Sequence, residues 1–284
     1  MSFSLVQVIN GISYGMLLFL LAAGLTLGFG LLRIINLAHG SYYLLGGYVG
    51  IATVQATGSF WVAVLVSGAA MGLLGFAMWR LLLKRYIANE LAMVLLTFGF
   101  LLLLGDLAFW QFGGTPLTIP APAPLDGPVV IGELRFPAYR LVLIAAGLLV
   151  ALFLWWLIEW TRIGMLVRAC VNDPQMAEGL GVKVPLVMTG VFSLSATLAG
   201  IAGVLGGPLI GVYPGADLVV LLLAIVVVIL GGLGSLWGAL IAALVVGLLD
   251  TAGRTLFPEF SLFAIFAPMA LVLVLRPSGL LGRA

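Results

Sequence analysis

Charge is the scarcest property of this sequence. Twelve Lys and Arg and ten Asp and Glu make only 8% of 284 residues charged, against roughly a quarter in a soluble globular chain. A water-soluble fold is therefore excluded, and a net charge of +2 provides no basic surface for nucleic acid. Cysteine occurs once, at Cys170, which rules out an internal disulfide and a cysteine-built metal site. Histidine also occurs once, at His39, and lysine only at Lys84 and Lys183. H-E-x-x-H, Gly-x-Ser-x-Gly and G-x-x-x-x-G-K-[ST] are all absent. The chain thus has little from which to build a hydrolase, an intramembrane protease or a transferase, and no P-loop for ATP. No catalytic residue, metal or cofactor is expected.

What is present is apolar. Hydrophobic residues make up 63% of the chain and the mean hydropathy is +1.29. Apolar runs long enough to cross a bilayer, about 20 residues each, recur along the whole length and predict spans near 5–31, 41–57, 60–80, 91–111, 139–159, 187–206, 218–233, 235–250 and 261–275. Glycine-rich pieces around 35–50 and 231–247 read as broken or re-entrant helices, so the fold class is an all-α polytopic transmembrane bundle of about 8–10 segments. The 38 glycines include small-xxx-small pairs at Gly11/Gly15, Gly24/Gly28, Gly46/Gly50, Gly68/Gly72, Gly203/Gly207 and Gly234/Gly238. Each pair puts both glycines on one helix face and lets another backbone approach closely, the packing that lipid-embedded helices favour.

Basic residues set the expected orientation. Arg80, Lys84 and Arg85 follow the third span, Arg162, Arg168 and Lys183 the fifth, and Arg276 and Arg283 the last. With nine spans these fall on one side, which the positive-inside rule makes cytoplasmic; the N-terminus is then outside and the C-terminus inside. Arg135 and Arg140, accompanied by Asp126 and Glu133, belong to a proline-rich external loop, 113–138, expected to form extended segments or a short hairpin. The N-terminal residues lack a basic n-region and a cleavage site, so the first helix reads as retained. Residues 1–284 read as one membrane domain. Asp106, Asp217 and Asp250 are the candidate intramembrane acids, and all three fall near span ends where water or headgroups are expected to reach them. A centrally placed acid pair, usual in an ion-driven carrier, is missing.

The stretch INLAHGSYYLLGGYVG, residues 35–50, concentrates polar residues and glycines where a lipid-facing helix has no use for them. Asn36 suits a helix N-cap, and a helix starting there would direct free N–H groups and its positive end inward. GGLGS at 231–235 reads as its counterpart in the second half. His39 is open to two readings, a hydrogen-bonded packing residue or a group on a solute path. Near the middle of the chain, Asp173 suits an N-cap, Pro174 a first helical turn and Gly181 a C′ position, which predicts a two-turn helix over 173–181 with Met176 and Leu180 as an apolar knob.

Three stretches together resemble the membrane permease subunits of bacterial ABC importers for branched-chain amino acids, a family that also serves urea and short amides. They are Asn36-Leu37-Ala38-His39-Gly40, TRIGMLVRACVNDPQMAEGLGVKV at 161–184, and 211–250 followed by RPSGLLGR at 276–283. The sequence departs from the family at Ser41, where an acid usually follows the His/Gln-Gly pair.

The resemblance implies a multi-pass protein of the bacterial inner membrane, surrounded by lipid. It also implies a second permease subunit, alike or paralogous, two separate ATPase subunits and an extracytoplasmic solute-binding protein, together importing a small polar or zwitterionic solute. It places the solute path at Asn36, His39, Gly40, Ser41, Gly231, Gly232, Gly234 and Ser235. The ATPase contact falls on Arg168, Asp173, Met176, Ala177, Glu178 and Gly181. The binding-protein face falls on the 113–138 loop, including Leu125, and on Tyr213, Pro214 and Gly215. A permease for urea, short amides or other amino acids, an ATP-independent carrier or channel, and a structural membrane scaffold are the alternatives.

Overall fold

The structure, a computed structural model, describes residues 2–32, 36–87, 89–123, 125–131, 134–256 and 258–282. Apolar runs bounded by glycine, proline or basic residues become its helices: α1 (Ser2–Leu32), α2 (His39–Thr57), α3 (Phe60–Leu81), α4 (Glu90–Phe112), α5 (Tyr139–Trp160), α6 (Arg162–Asn172), α7 (Pro174–Gly179), α8 (Val184–Ile210), α9 (Ala216–Gly231), α10 (Leu236–Leu256) and α11 (Ser261–Leu275). The only sheet among the described residues is the hairpin of β1 (Pro128–Ile131) and β2 (Leu134–Pro137), the short hairpin expected in the external loop. Glu133 and Arg283, used in the charge argument, lie outside the described residues.

All nine expected spans appear as helices, but only six described helices are long and apolar enough to cross a membrane by themselves. At 1.5 Å per residue, the 16 residues of α9 reach about 24 Å, short of the roughly 30 Å hydrocarbon core. Polar and small residues dilute α2. Both helices also begin inside the bundle. The Leu37 N–H donates to Thr97 Oγ1 (3.3 Å) and Ser41 Oγ to the Leu101 carbonyl (3.4 Å), which sets the start of α2 near the middle of α4. The start of α9 lies beside it: a Cβ on Gly40 would strike the Asp217 carbonyl and come 3.1 Å from Leu221 Cβ.

Glycine faces hold the helices together. Gly11 and Gly15 of α1 receive α10 at Gly247–Leu248 and Ala243–Leu244, while Gly46 of α2 meets Gly200 of α8. Ser67 of α3 joins that crossing, its hydroxyl lying 2.8 Å from the Gly46 carbonyl and 3.0 Å from that of Gly200. Substituting a large residue for a small one would separate these backbones, because lipid offers no hydrophobic drive to hold them. Gly232, at φ +100°, ends α9. The C-terminal tail then closes that end: Leu280 and Leu281 N–H groups donate to the free carbonyls of Leu230 (2.9 Å) and Gly231 (3.0 Å).

Two of the acids are not where water reaches them. Asp106 is exposed on α4, but Asp217 and Asp250 are only 5% and 4% exposed. Asp250 is paired with Arg254, whose Nε lies 2.8 Å from Oδ2 while the rest of its side chain stays in contact with the surroundings. Asp217 sits in the first turn of α9, where the helix end favours negative charge. Neither arrangement is visible from distance to a span end.

Candidate translocation path and coupling surface

The opening motif forms a tight turn rather than a helix cap at Asn36. Asn36 Oδ1 accepts from the Ala38 N–H (3.1 Å) and its carbonyl accepts from the His39 N–H (3.2 Å), so the helix starts at His39. Two residues of turn, Leu37 and Ala38, precede the helix because the asparagine side chain bonds its own neighbour two residues on. His39 is 1% exposed, with Nε2 2.9 Å from the Leu21 carbonyl and Nδ1 3.5 Å from Ser195 Oγ, which itself donates to the Gly24 carbonyl (2.7 Å). Asn36, His39 and Ser41 are all buried between helices. Of the two readings of His39, the geometry within this chain is that of the hydrogen-bonded packing residue.

The two glycine motifs lie against different parts of α1. His39 touches Gly24, whereas Gly234 faces Gly30. The neighbour of Gly40 is the start of α9, and Gly231 packs on Gly238 and Gly232 on the tail at Gly282. Glycine spacing alone marks a face for close approach and does not name the partner.

Gly234 and Ser235 instead line a cavity of about 780 Å³ at the end of the bundle that carries α6. Thr26 of α1, Glu159 of α5 and Arg168 and Asn172 of α6 complete its polar wall. Arg168 Nη1 is 3.6 Å from Glu159 Oε2 and also donates to the Ile158 carbonyl. The α5–α6 corner that positions this pair needs Gly164, since a Cβ there would run into the Leu157 and Ile158 carbonyls; Thr161 Oγ1 caps the new helix at the Gly164 N–H (3.1 Å). Sequence reasoning missed Thr26, Glu159 and Asn172. Glu159 and Arg168 had a signal, opposite charges flanking a Thr-Arg-x-Gly corner, but Thr26 had none.

The short helix forms as the capping residues predict. Asp173 Oδ1 accepts from the Met176 N–H (2.9 Å), Pro174 occupies the first turn, and Gly181 takes φ +87° while its N–H and that of Val182 close onto Glu178 and Ala177 carbonyls. Ala177 is buried against Cys170, Val184 and Val191, which leaves Met176 and Leu180 projecting, 61% and 79% exposed. Burial and the nearby Glu178 charge push the Cys170 thiol above its ordinary range. α6 is an amphipathic helix that the sequence reading treated as loop.

At the other end, Leu117 and Val212 exchange backbone hydrogen bonds (2.9 and 2.7 Å). This bridge brings the 113–138 loop beside Tyr213–Gly215, and Leu125 is held in a turn onto the Pro122 carbonyl (2.7 Å).

Broken helices around glycine crossings, a polar cavity at one end and a projecting apolar knob beside it define a polytopic membrane transport protein. The chain belongs to the family of branched-chain amino acid transport system permease components, whose profile matches residues 7–275. It is 30% identical to the high-affinity branched-chain amino acid transport system permease protein LivH of Escherichia coli K12, over 98% of this chain and 95% of that protein. It is 28% identical to BraD of Pseudomonas aeruginosa, also named a high-affinity branched-chain amino acid transport system permease protein, with the same coverage of both chains. The similarly named LivM of Escherichia coli K12 is 28% identical over 94% of this chain and 68% of its own.

Proposed function

We propose that this chain is the membrane subunit of an ATP-driven importer that carries a branched-chain amino acid into the bacterial cytoplasm. The observation that carries the reading is α7: a two-turn helix, capped at both ends, that presents Met176 and Leu180 outward. An isolated helix this short is unstable in water, and its exposed knob suits insertion into a groove on a separate ATPase. Arg168, Asp173, Ala177, Glu178 and Gly181 hold the knob in place or border it. Family membership and the names of the relatives support the substrate.

In this reading the whole chain works as one membrane domain, with its N-terminus outside and α6, α7 and the C-terminus in the cytoplasm. It pairs with a second permease subunit; likeness to both LivH and LivM supports a paralogous partner. Two ATPases dock on the α7 side, and a solute-binding protein docks on the face formed by Leu125 and Tyr213–Gly215. The solute moves past Asn36–Ser41 at the depth where α2 and α9 begin, and leaves past Gly231–Ser235.

Uptake of labelled leucine, isoleucine, valine and urea into proteoliposomes holding the permease pair, ATPase and binding protein tests the reading. ATP-dependent accumulation of the three amino acids is expected. Accumulation of urea alone would move the substrate to the amide branch, and uptake driven by an ion gradient without ATP would replace the importer by a carrier.

A further inference from the structure

The C-terminal motif RPSGLLGR belongs to neither the solute path, the coupling helix nor the outer face. Its geometry gives it a place beside the exit. α9 ends among buried residues: Leu230 is 1% exposed and Gly231 is buried. The last four carbonyls of a helix have no partner within it, and burial keeps these from water. The Gly232 N–H donates to two of them, Val228 (3.0 Å) and Ile229 (3.2 Å). The other two, Leu230 and Gly231, accept from the tail, from the Leu280 N–H (2.9 Å) and the Leu281 N–H (3.0 Å). Without the tail both carbonyls are stranded, each at a cost comparable to a lost hydrogen bond. The turn that follows α9 would have to shift for them to find water.

The tail reaches α9 through a turn that glycine alone fits. Arg276–Gly279 closes with the Gly279 N–H on the Arg276 carbonyl (2.9 Å), and Gly279 takes φ +79°. A Cβ there would come 2.6 Å from the Gly232 nitrogen and 2.7 Å from the Ile229 carbonyl oxygen. Conversely, a Cβ on Gly232 would strike the Gly282 nitrogen and lie 2.9 Å from the Ser278 carbonyl oxygen. On the other side Gly231 abuts Gly238, in the first turn of α10. The Gly231–Ser235 turn is thus gripped between the start of α10 and the tail. Leu280 anchors the tail against the apolar core. Leu281 is half exposed and shares the wall of the 780 Å³ cavity with Leu233, Gly234 and Ser235.

We propose that Arg276–Gly282 is a strap that holds the Gly231–Ser235 turn in place at the cytoplasmic exit, with Gly279, Leu280 and Leu281 as positioning residues for solute release. The inference rests on the importer reading, which makes this turn the exit. Two main-chain bonds and the crossing of Gly232 with Gly279 and Gly282 set where the turn lies, so the strap sets the shape of the opening. Its bonds run to α9, whereas α7 packs on Cys170, Val184 and Val191 and the hairpin face stands at the opposite end. Loosening the strap therefore impairs delivery of the solute and leaves docking and ATP hydrolysis in place.

The test uses the assembled transporter in proteoliposomes and compares Gly279→Ala with Gly58→Ala. Gly58 has a similar φ of +69° but nothing within 4 Å of an added Cβ, so it carries the backbone strain without the crossing. Gly279→Ala parts both strap bonds, and hydrogen exchange at the Leu280 and Leu281 amides should accelerate about tenfold. Maximal leucine uptake should fall, while the binding-protein concentration for half-maximal uptake and the stimulated ATP hydrolysis stay as in the wild type. Gly58→Ala should change none of these. A second pair separates the main-chain bond from the side chain and serves should Gly279→Ala not insert. Leu281→Pro removes the N–H that meets Gly231 and should lower the uptake obtained per ATP, whereas Leu281→Ala keeps the N–H and should not. Wild-type uptake per ATP in both Gly279→Ala and Leu281→Pro would overturn the proposal. So would unchanged exchange in Gly279→Ala, or a fall in uptake matched by equal falls in insertion and hydrolysis, the mark of a folding defect. A wild-type protein without ATP-dependent leucine uptake would overturn the importer reading instead, and the exchange measurement would still decide whether the strap holds the turn.

Discussion

A methyl group added to Gly203 would strike the Tyr43 carbonyl and come 2.8 Å from the Gly47 amide, whereas one added to Gly190 on the same helix meets nothing within 4 Å. The same substitution should therefore separate the two sites. Gly203→Ala forces α2 away from α8 at a cost of about 1–3 kcal/mol, and thermal unfolding of the detergent-solubilised protein should shift downward. Gly190→Ala should leave it unchanged or slightly raised, since alanine favours helix by about 1 kcal/mol. Equal effects would mean that the α2–α8 crossing is not as close as described. His39 makes a second residue-scale case. Its ring serves Leu21 and Ser195 as a hydrogen-bonding group, so His39→Gln should keep transport activity in an uptake assay. Complete loss would mean that the imidazole itself carries a proton in the cycle.

Among the elements, α6–α7 shows what burial does to chemistry. Cys170 is packed under α7 beside Ala177 and Val184, and burial together with the Glu178 charge holds its thiol pKa above the ordinary value. Only the thiolate reacts, so labelling by a maleimide should be slow at neutral pH and should accelerate as pH rises past the usual thiol range. Rapid labelling at neutral pH would show that α7 does not cover Cys170. The helix ends in this region were legible because Asp173, Pro174 and Gly181 each have one strong local role. The nine helices that coincide with the expected spans were legible for a similar reason, their apolar runs being cut by glycine, proline or basic residues. α6 was not legible, since residues 162–172 are amphipathic and too short to stand out beside the membrane runs. Nor was the partner of the opening motif: Gly40 signals close approach, but that it approaches Asp217 of α9 rather than Gly231–Ser235 is a property of the assembled bundle.

For the whole molecule, the broken helices, the tail that closes α9 and the bridge from Leu117 to Val212 divide the protein into two unlike ends. One end carries the cavity and α7, and the other carries the hairpin and Tyr213–Gly215. The proposed orientation, which follows the positive-inside rule, puts the first in the cytoplasm. Single cysteines at Asp126 and at Lys183, in a Cys170→Ala background, should be labelled by an impermeant reagent from opposite sides of the membrane, Asp126 in intact cells and Lys183 in inside-out vesicles. The reverse pattern would invert every assignment of binding-protein face, exit and coupling helix. The central claim is that α7 transmits ATP hydrolysis to this bundle, and it is tested most directly by Met176→Asp with Leu180→Asp. Ala177 and the Asp173 cap are untouched, so the helix and membrane insertion should persist. With the ATPase and binding protein present, ATP hydrolysis stimulated by the loaded binding protein and leucine uptake should be measured together in proteoliposomes. The account predicts that uptake falls to background and that hydrolysis no longer responds to the binding protein; normal, stimulated uptake in the double variant would contradict it.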